Sequence, residues 1–235
     1  MQQKPCVGVL GGMGPMSTVY YYELLTRYTP AGCDQEHLDV LISSHAATPD
    51  RTAYILGEIQ ADPCPVMLAD AQKLVTAGAT LLTITCNTAH YFYDRLQSQL
   101  PIPILHMLRC AVQDAKAAGC TRLGILATTG TMRTGIYQAV CDAEGIECVL
   151  PSPEDQEGLM EIIYGQIKNG REPDLAHFNR IADTLRAQGC QKAVLGCTEL
   201  ALINRDYHLD GFFIDTIDSL ARHTVRACGL TPRVL

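Results

Sequence analysis

Positive charge is scarce in this sequence: 18 Lys and Arg stand against 25 Asp and Glu, for a net charge of -7. Without a Lys/Arg cluster, nucleic acid and anionic membrane surfaces are poor partners, and neither is expected. No apolar run approaches the ~18 to 20 residues of a membrane span. The opening Met-Gln-Gln-Lys-Pro leads into a short apolar segment ending in Gly11-Gly12, which does not read as a secretion signal. Eleven cysteines are many, but the number is odd and no pair has the spacing Cys-x-x-Cys. A disulfide framework, a zinc ribbon and a thioredoxin-type redox motif all lose support, and reduced thiols in a cytoplasmic protein are expected. His37, His177, His208 and His223 show no metal-ligand spacing, so no metal is expected.

What is present is a regular alternation. The 235 residues, 47% apolar, suit one large domain or two small ones. Short apolar runs at 6–10, 38–43, 81–85, 102–106, 122–127, 146–150, 192–195 and 212–214 read as strands. Most are near-continuous Val/Ile/Leu, as parallel strands buried on both faces require. Helical patterns lie between them at 17–27, 66–76, 89–99, 108–118, 134–143, 157–168, 175–187 and 217–227, with 51–60 ambiguous. Gly78, Gly119, Gly145 and Gly189 stand just past four of these helices, where a left-handed cap residue is wanted. Strand and helix in this rhythm predict a parallel α/β fold.

The chain also repeats itself. Gly8-Val-Leu-Gly-Gly-Met-Gly14 returns as Gly124-Ile-Leu-Ala-Thr-Thr-Gly130, Leu82-Thr-Ile-Thr-Cys86 as Ala193-Val-Leu-Gly-Cys197, and Pro103-Ile-Leu-His-Met107 as Phe212-Phe-Ile-Asp-Thr216. Three matches in one order point to internal duplication. The expectation is an α/β fold of two pseudo-symmetric lobes, each a short, mostly parallel sheet flanked by helices. The first lobe is expected over 1–106 with 216–235, the second over 107–215. The active site is expected in the cleft between them, where loops at the carboxyl ends of the strands meet a ligand.

The repeat aligns Cys86 with Cys197, each directly after an apolar strand and before a helical stretch. The positive end of a helix favours thiolate there. A thiol of pKa ~8.5 is about 3% ionised at pH 7, and lowering it to ~7 is worth about 2 kcal/mol of access to the reactive form. Lone cysteines are usually just buried, but this pair is followed by the polar Asn87-Thr88 and Thr198-Glu199.

Gly11-Gly12-Met13-Gly14 follows the first strand and opens a helix, where bare amides can hold an anion. It is neither a dinucleotide fingerprint nor a Walker loop: the Gly spacing differs, the second strand ends in Ser43-Ser44-His45 without an acid, and no Gly-Lys-Ser/Thr follows. The matching Thr128-Thr129-Gly130-Thr131 supplies three hydroxyls. Arg51, in Thr48-Pro49-Asp50-Arg51-Thr52, reads either as a helix-start ion pair or as a guanidinium that grips a carboxylate through two bonds. Lys168 reads equally as a C-terminal helix lysine. His90 and Glu199 follow the cysteines within one turn and could poise them, or simply cap and pack.

Gly8-Val-Leu-Gly-Gly-Met-Gly-Pro15, Cys86-Asn-Thr-Ala-His90 and Gly196-Cys-Thr-Glu-Leu200 together resemble the aspartate/glutamate racemase family, from residue 8 to the last helix. Pro49-Asp50-Arg51-Thr52 is similar to the aspartate racemase branch, where the matching Arg is understood to bind the substrate's side-chain carboxylate. Lys168 matches a family lysine with a similar role. The glutamate branch typically has His after Cys-Thr, where this chain has Glu199. The resemblance implies cofactor-independent racemisation by Cys86 and Cys197 in a two-lobed homodimer. Met13, Arg51, Asn87, Thr88, Thr128, Thr129, Thr131, Lys168, Thr198 and Glu199 are then the substrate-binding candidates.

Inversion at Cα needs a base on one face and an acid on the other, which one thiolate and one thiol provide. No pyridoxal site is evident, so donors at Asn87, Thr88, Thr129, Thr131 and Thr198 are expected to hold the α-carboxylate as charge moves onto it. A maleate isomerase-like or hydantoin racemase-like enzyme is the nearest rival. A decarboxylase relative, which keeps only the second cysteine, fits less well. A non-catalytic amino-acid-binding module is the rival from another class.

Overall fold

The computed structural model describes residues 5–235; residues 1–4, which begin the segment read as no secretion signal, lie outside the described residues. The chain divides into two compact units, residues 1–107 with 217–235, and residues 108–216.

In the first unit the strands are β1 (Cys6–Gly11), β2 (Asp39–Ser44), β3 (Leu81–Ile84) and β4 (Ile104–Leu105), in the order β2-β1-β3-β4. All pairings are parallel, with Val7 opposite Leu81 and Leu10 opposite Ile84. The helices are α1 (Pro15–Tyr28), α2 (Arg51–Leu56), α3 (Pro63–Thr76) and α4 (Tyr93–Gln97). Helix α1 buries Tyr20, Tyr21, Leu24 and Leu25, and Tyr21 hydrogen-bonds Thr224 of the returning chain. A Cβ at Gly8 on β1 would lie 2.6 Å from Leu82 of β3, 2.9 Å from Ala79 and 3.2 Å from Leu74 of α3.

The second unit repeats this arrangement with β5 (Arg122–Leu126), β6 (Glu147–Val149), β7 (Lys192–Leu195) and β8 (Phe213–Asp215), in the order β6-β5-β7-β8 and again all parallel. Its helices are α5 (Met107–Ala117), α6 (Thr129–Thr134), α7 (Ile136–Glu144), α8 (Pro153–Met160), α9 (Leu175–Ala187) and α10 (Thr198–Tyr207); α11 (Thr216–Ala227) returns to the first unit. Gly124 mirrors Gly8: its Cβ would meet Leu185 of α9 at 2.8 Å. The three repeated segments thus contain residues of equivalent strands, β1 and β5, β3 and β7, β4 and β8.

The parallel α/β expectation holds, and each departure has a local cause. Strand β2 is half exposed rather than buried on both faces because it is a sheet edge, with Ile42 facing outward. Strand β4 has two residues, not five. Pro101 and Pro103 have no N–H to give, and the Ile104 amide turns to the Gln97 side chain at 2.7 Å. The 134–143 helix is two helices, α6 and α7, broken at Gly135, whose φ of 68° lies in the left-handed region. The 157–168 pattern starts early, where Ser152 caps α8 and Pro153 occupies its first turn. It then widens into a π turn over Glu161–Gln166 and tightens into a 3-10 turn over Ile167–Asn169. The ambiguous 51–60 segment is the short α2, closed by Gly57.

Candidate functional site

Ligands of parallel α/β sheets bind at the carboxyl ends of the strands. In the first unit Cys86 lies two residues past β3, 6% exposed, and Asn87 and Thr88 behind it are buried. The expected 89–99 helix is instead a 3-10 turn over Thr88–Phe92 followed by α4. His90 supplies the reason. Its Nδ1 bonds the Cys86 carbonyl at 2.9 Å, taking the acceptor that an α-helix would give to the His90 amide, which bonds the Asn87 carbonyl instead. The Met107 N–H donates to His90 Nε2 at 3.1 Å, so Nε2 is the bare nitrogen and Nδ1 carries the proton. Full burial drives the His90 pKa down to about 4, against smaller opposing effects of its backbone bonds. His90 is therefore neutral near pH 7, and it fixes the backbone of Cys86 rather than its thiol.

In the glycine turn the Gly12 amide is taken internally. The Gly12 N–H donates to Thr18 Oγ1 at 3.0 Å, and Thr18 Oγ1 lies 3.0 Å from Thr85 Oγ1. Gly12 is required for another reason: φ is 84°, and a Cβ would sit 2.4 Å from the His45 amide nitrogen. Met13 places its side chain in the core cluster with Leu10 and Cys86. Its carbonyl accepts from Arg51 Nη2 at 3.3 Å, while Arg51 Nη1 donates to the carbonyls of Thr48 and Pro49. Arg51 is the first residue of α2, capped by Asp50, and its guanidinium ties the 48–50 loop to the glycine turn.

In the second unit Cys197 caps α10 and is 5% exposed. Its thiol donates to Glu199 Oε2 at 2.9 Å, and Glu199 Oε1 pairs with Lys168 Nζ at 2.9 Å. The Thr198 hydroxyl donates to the same Glu199 oxygen at 3.3 Å. This corrects the expectation of a helix-stabilised thiolate here. Burial first, and then the Glu199 carboxylate, push the Cys197 pKa well above the usual thiol range, and the Lys168 charge only partly opposes them. Burial would lower Lys168, but the Glu199 charge outweighs it and holds the ammonium above its ordinary pKa. Glu199 thus touches its cysteine's thiol and Lys168 touches Glu199, while His90 does neither for Cys86.

The threonine loop is also internally bonded. Thr128 caps α6 by accepting from the Thr131 amide, and the two hydroxyls lie 3.1 Å apart. The Thr129 amide points at Met160 Sδ, and Gln156 Nε2 donates to Thr129 Oγ1. Thr129, Gln156, Glu157, Met160, Glu161 and Tyr164 line an open cavity of about 530 Å³.

Two neighbours escaped the sequence reading. Asp70, buried in the middle of α3, holds His45 Nδ1 at 2.6 Å and Lys73 Nζ at 2.9 Å beside the glycine turn. Tyr164 places its ring 5.1 Å from Lys168 Nζ. The first contact spans 25 positions and leaves no periodic trace. The second, four residues apart, is a helix-spacing pair that could have been found. Among the described residues, no group of three or more His, Cys, Asp or Glu side chains is placed to hold a metal ion. None of their helices is long and apolar enough to cross a membrane.

Two parallel four-stranded sheets flanked by helices are the architecture of the two-lobed racemases. The chain belongs to the Asp/Glu/Hydantoin racemase family, whose model matches residues 10–224. It is 27% identical over 227 residues to the broad specificity amino-acid racemase RacX of Bacillus subtilis (strain 168), covering 93% of this chain and 96% of that one. With the glutamate racemase of Aquifex aeolicus (strain VF5) it shares 32% over 159 residues, 63% of this chain and 58% of the relative. The aspartate racemase of Picrophilus torridus superposes with a TM-score of 0.84 at 25% identity, covering 98% of this chain and 96% of that structure. The protein is accordingly an isomerase of the racemase type.

Proposed function

We propose that the protein interconverts L- and D-aspartate, with glutamate as a second substrate, by a two-base proton transfer at Cα that needs no pyridoxal cofactor. Cys86 takes or returns the proton on one face of Cα and Cys197 on the other, and the roles exchange with the enantiomer. The observation that carries this reading is the equivalence of the two cysteines. Each follows the strand that pairs with the first strand of its own sheet, on matched segments of an internal duplication. With no cofactor as electron sink, the carbanion needs stabilisation from the protein, for which hydrogen-bond donors around Asn87, Thr88, Thr129, Thr131 and Thr198 serve. The full-length similarity to a broad-specificity racemase supports a second reading, in which neutral amino acids are also substrates.

Exchange of the α-proton in D2O, followed by NMR with both enantiomers of aspartate, glutamate and alanine, tests the proposal. Aspartate should incorporate deuterium with inversion, and alanine far more slowly. Comparable rates for alanine would establish the broad-specificity reading; binding of aspartate without any exchange would establish a binding module. Arg51→Ala should reduce kcat/KM for aspartate about 30-fold more than for any neutral substrate, the equivalent of about 2 kcal/mol for a desolvated guanidinium–carboxylate pair. Arg51→Lys should not restore it, because one ammonium cannot hold the carbonyls of Met13, Thr48 and Pro49 and a ligand as the fork does. An unchanged preference in Arg51→Ala would assign the side-chain carboxylate to another group.

The working form under this proposal is a cytoplasmic homodimer. The exposed Met16, Val19 and Tyr22, spaced along one face of α1, support association. Light scattering of the purified protein should return twice the chain mass, and a Val19→Glu variant half of that; a wild-type monomer would remove the dimer from the reading.

A further inference from the structure

Cys197, Glu199 and Lys168 form a continuous chain of side chains within the second unit. The Cys197 thiol reaches one Glu199 oxygen, and Lys168 holds the other, both at 2.9 Å. Cys197 and Glu199 are buried, whereas the Lys168 side chain keeps 24% of its surface open. One member of the chain is therefore accessible to a ligand, and it is the cation.

We propose that Glu199 is the proton partner of Cys197, and that a dicarboxylate substrate switches it on by drawing Lys168 into an ion pair with its own side-chain carboxylate. This rests on the reading above in which Cys197 exchanges protons with Cα. In the free enzyme Lys168 neutralises Glu199, and Cys197 stays a thiol. When the ligand carboxylate takes Lys168, Glu199 loses its counter-charge and becomes the stronger base. The Sγ–H bond breaks, the Oε2–H bond forms, and the pair carries the same total charge before and after. The resulting thiolate is the base for the enantiomer whose Cα–H faces it. On product release Lys168 returns to Glu199 and the proton to sulfur.

Tyr137 and Lys168 do not take up this proton. Burial, then the nearby Cys141, Cys197 and Cys148, raise Tyr137 well above its usual range, so that it stays a neutral phenol. Lys168 stays cationic because of Glu199 and Cys197, with Tyr164 acting in the same direction. The Thr198 hydroxyl is itself donated to Glu199. A neutral amino acid cannot draw Lys168 away, so it meets a protonated Cys197. Selection for dicarboxylates then operates on the state of the base as well as on affinity.

Succinate, a dicarboxylate with no amino group and no stereocentre, tests this by difference ultraviolet absorbance of thiolate. The wild-type protein should gain one thiolate per chain on saturation, and Cys197→Ser and Lys168→Met none. Glu199→Gln removes both the adjacent negative charge and the proton acceptor. Its Cys197 midpoint should fall by about 1 to 3 units, and succinate should add nothing. Succinate that inhibits racemisation without a thiolate gain, or a gain that survives in Glu199→Gln, overturns the proton-partner assignment and leaves the two-cysteine racemase standing. A protein that neither racemises aspartate or glutamate nor responds to succinate overturns both.

Discussion

Cys86→Ser and Cys197→Ser are each expected to abolish racemisation in both directions, by a factor of about 10² to 10⁴ or more, the range lost with a general acid or base. A hydroxyl is a far weaker acid and base than a thiol at neutral pH, and inversion needs both roles in every turnover. Exchange without inversion is a lesser demand, since one thiolate removes the proton and returns a deuteron to the same face. Each variant is therefore expected to retain α-proton exchange with one enantiomer only, and the two variants with opposite enantiomers. NMR in D2O, with chiral analysis of the product, reads both quantities at once. Full racemase activity in either variant sinks the two-base mechanism. Exchange with the same enantiomer in both would show that the two thiols do not serve opposite faces of Cα.

The parts legible in the sequence were those set by local rules. Gly78, Gly119, Gly145 and Gly189 all have positive φ at the helix ends where their positions predicted caps. The strands were visible because a parallel strand between helices is apolar on both faces, as β1 and β3 are. Edge position is not written in composition, so β2 looked like a core strand. The 3-10 turn behind Cys86 was hidden because its cause is a side-chain bond from His90 to a carbonyl four residues back. The helical stretch behind Cys197, whose limits sequence left open, is the ten-residue α10. In the candidate site, the identity of Glu199 was legible and its effect was not. A carboxylate two residues from a thiol can point anywhere, and it is the bond to Sγ that turns it against ionisation, with the Lys168 charge partly opposing. Arg51 likewise could be numbered in advance, but its three bonds to backbone carbonyls come from a turn 38 positions away and from its own loop.

Acidification is expected to destabilise the unit that carries Cys86 through His90. Its folded pKa is lowered to about 4 by burial, against about 6.5 in an unfolded chain. The depressed value means that the unfolded state binds the proton more readily, so stability is complete above pH ~6.5 and is lost as pH falls toward 4. The full difference amounts to about 3 kcal/mol, a large share of the margin of a typical domain. Unfolding free energies from denaturant titrations should fall by most of that amount between pH 7.5 and 4.5. His90→Gln should be less stable at pH 7.5, by about 1 to 3 kcal/mol, because the buried Met107 N–H or the Cys86 carbonyl loses its partner. The variant should nonetheless show a shallower acid limb, having no imidazole to charge on unfolding. In the wild type, an NMR titration should find the His90 ring in the Nδ1–H form and still neutral at pH 5. Parallel acid limbs in the two proteins, or a His90 that titrates near pH 6.5 in the folded state, would remove the imidazole from the acid sensitivity and make its role purely one of packing.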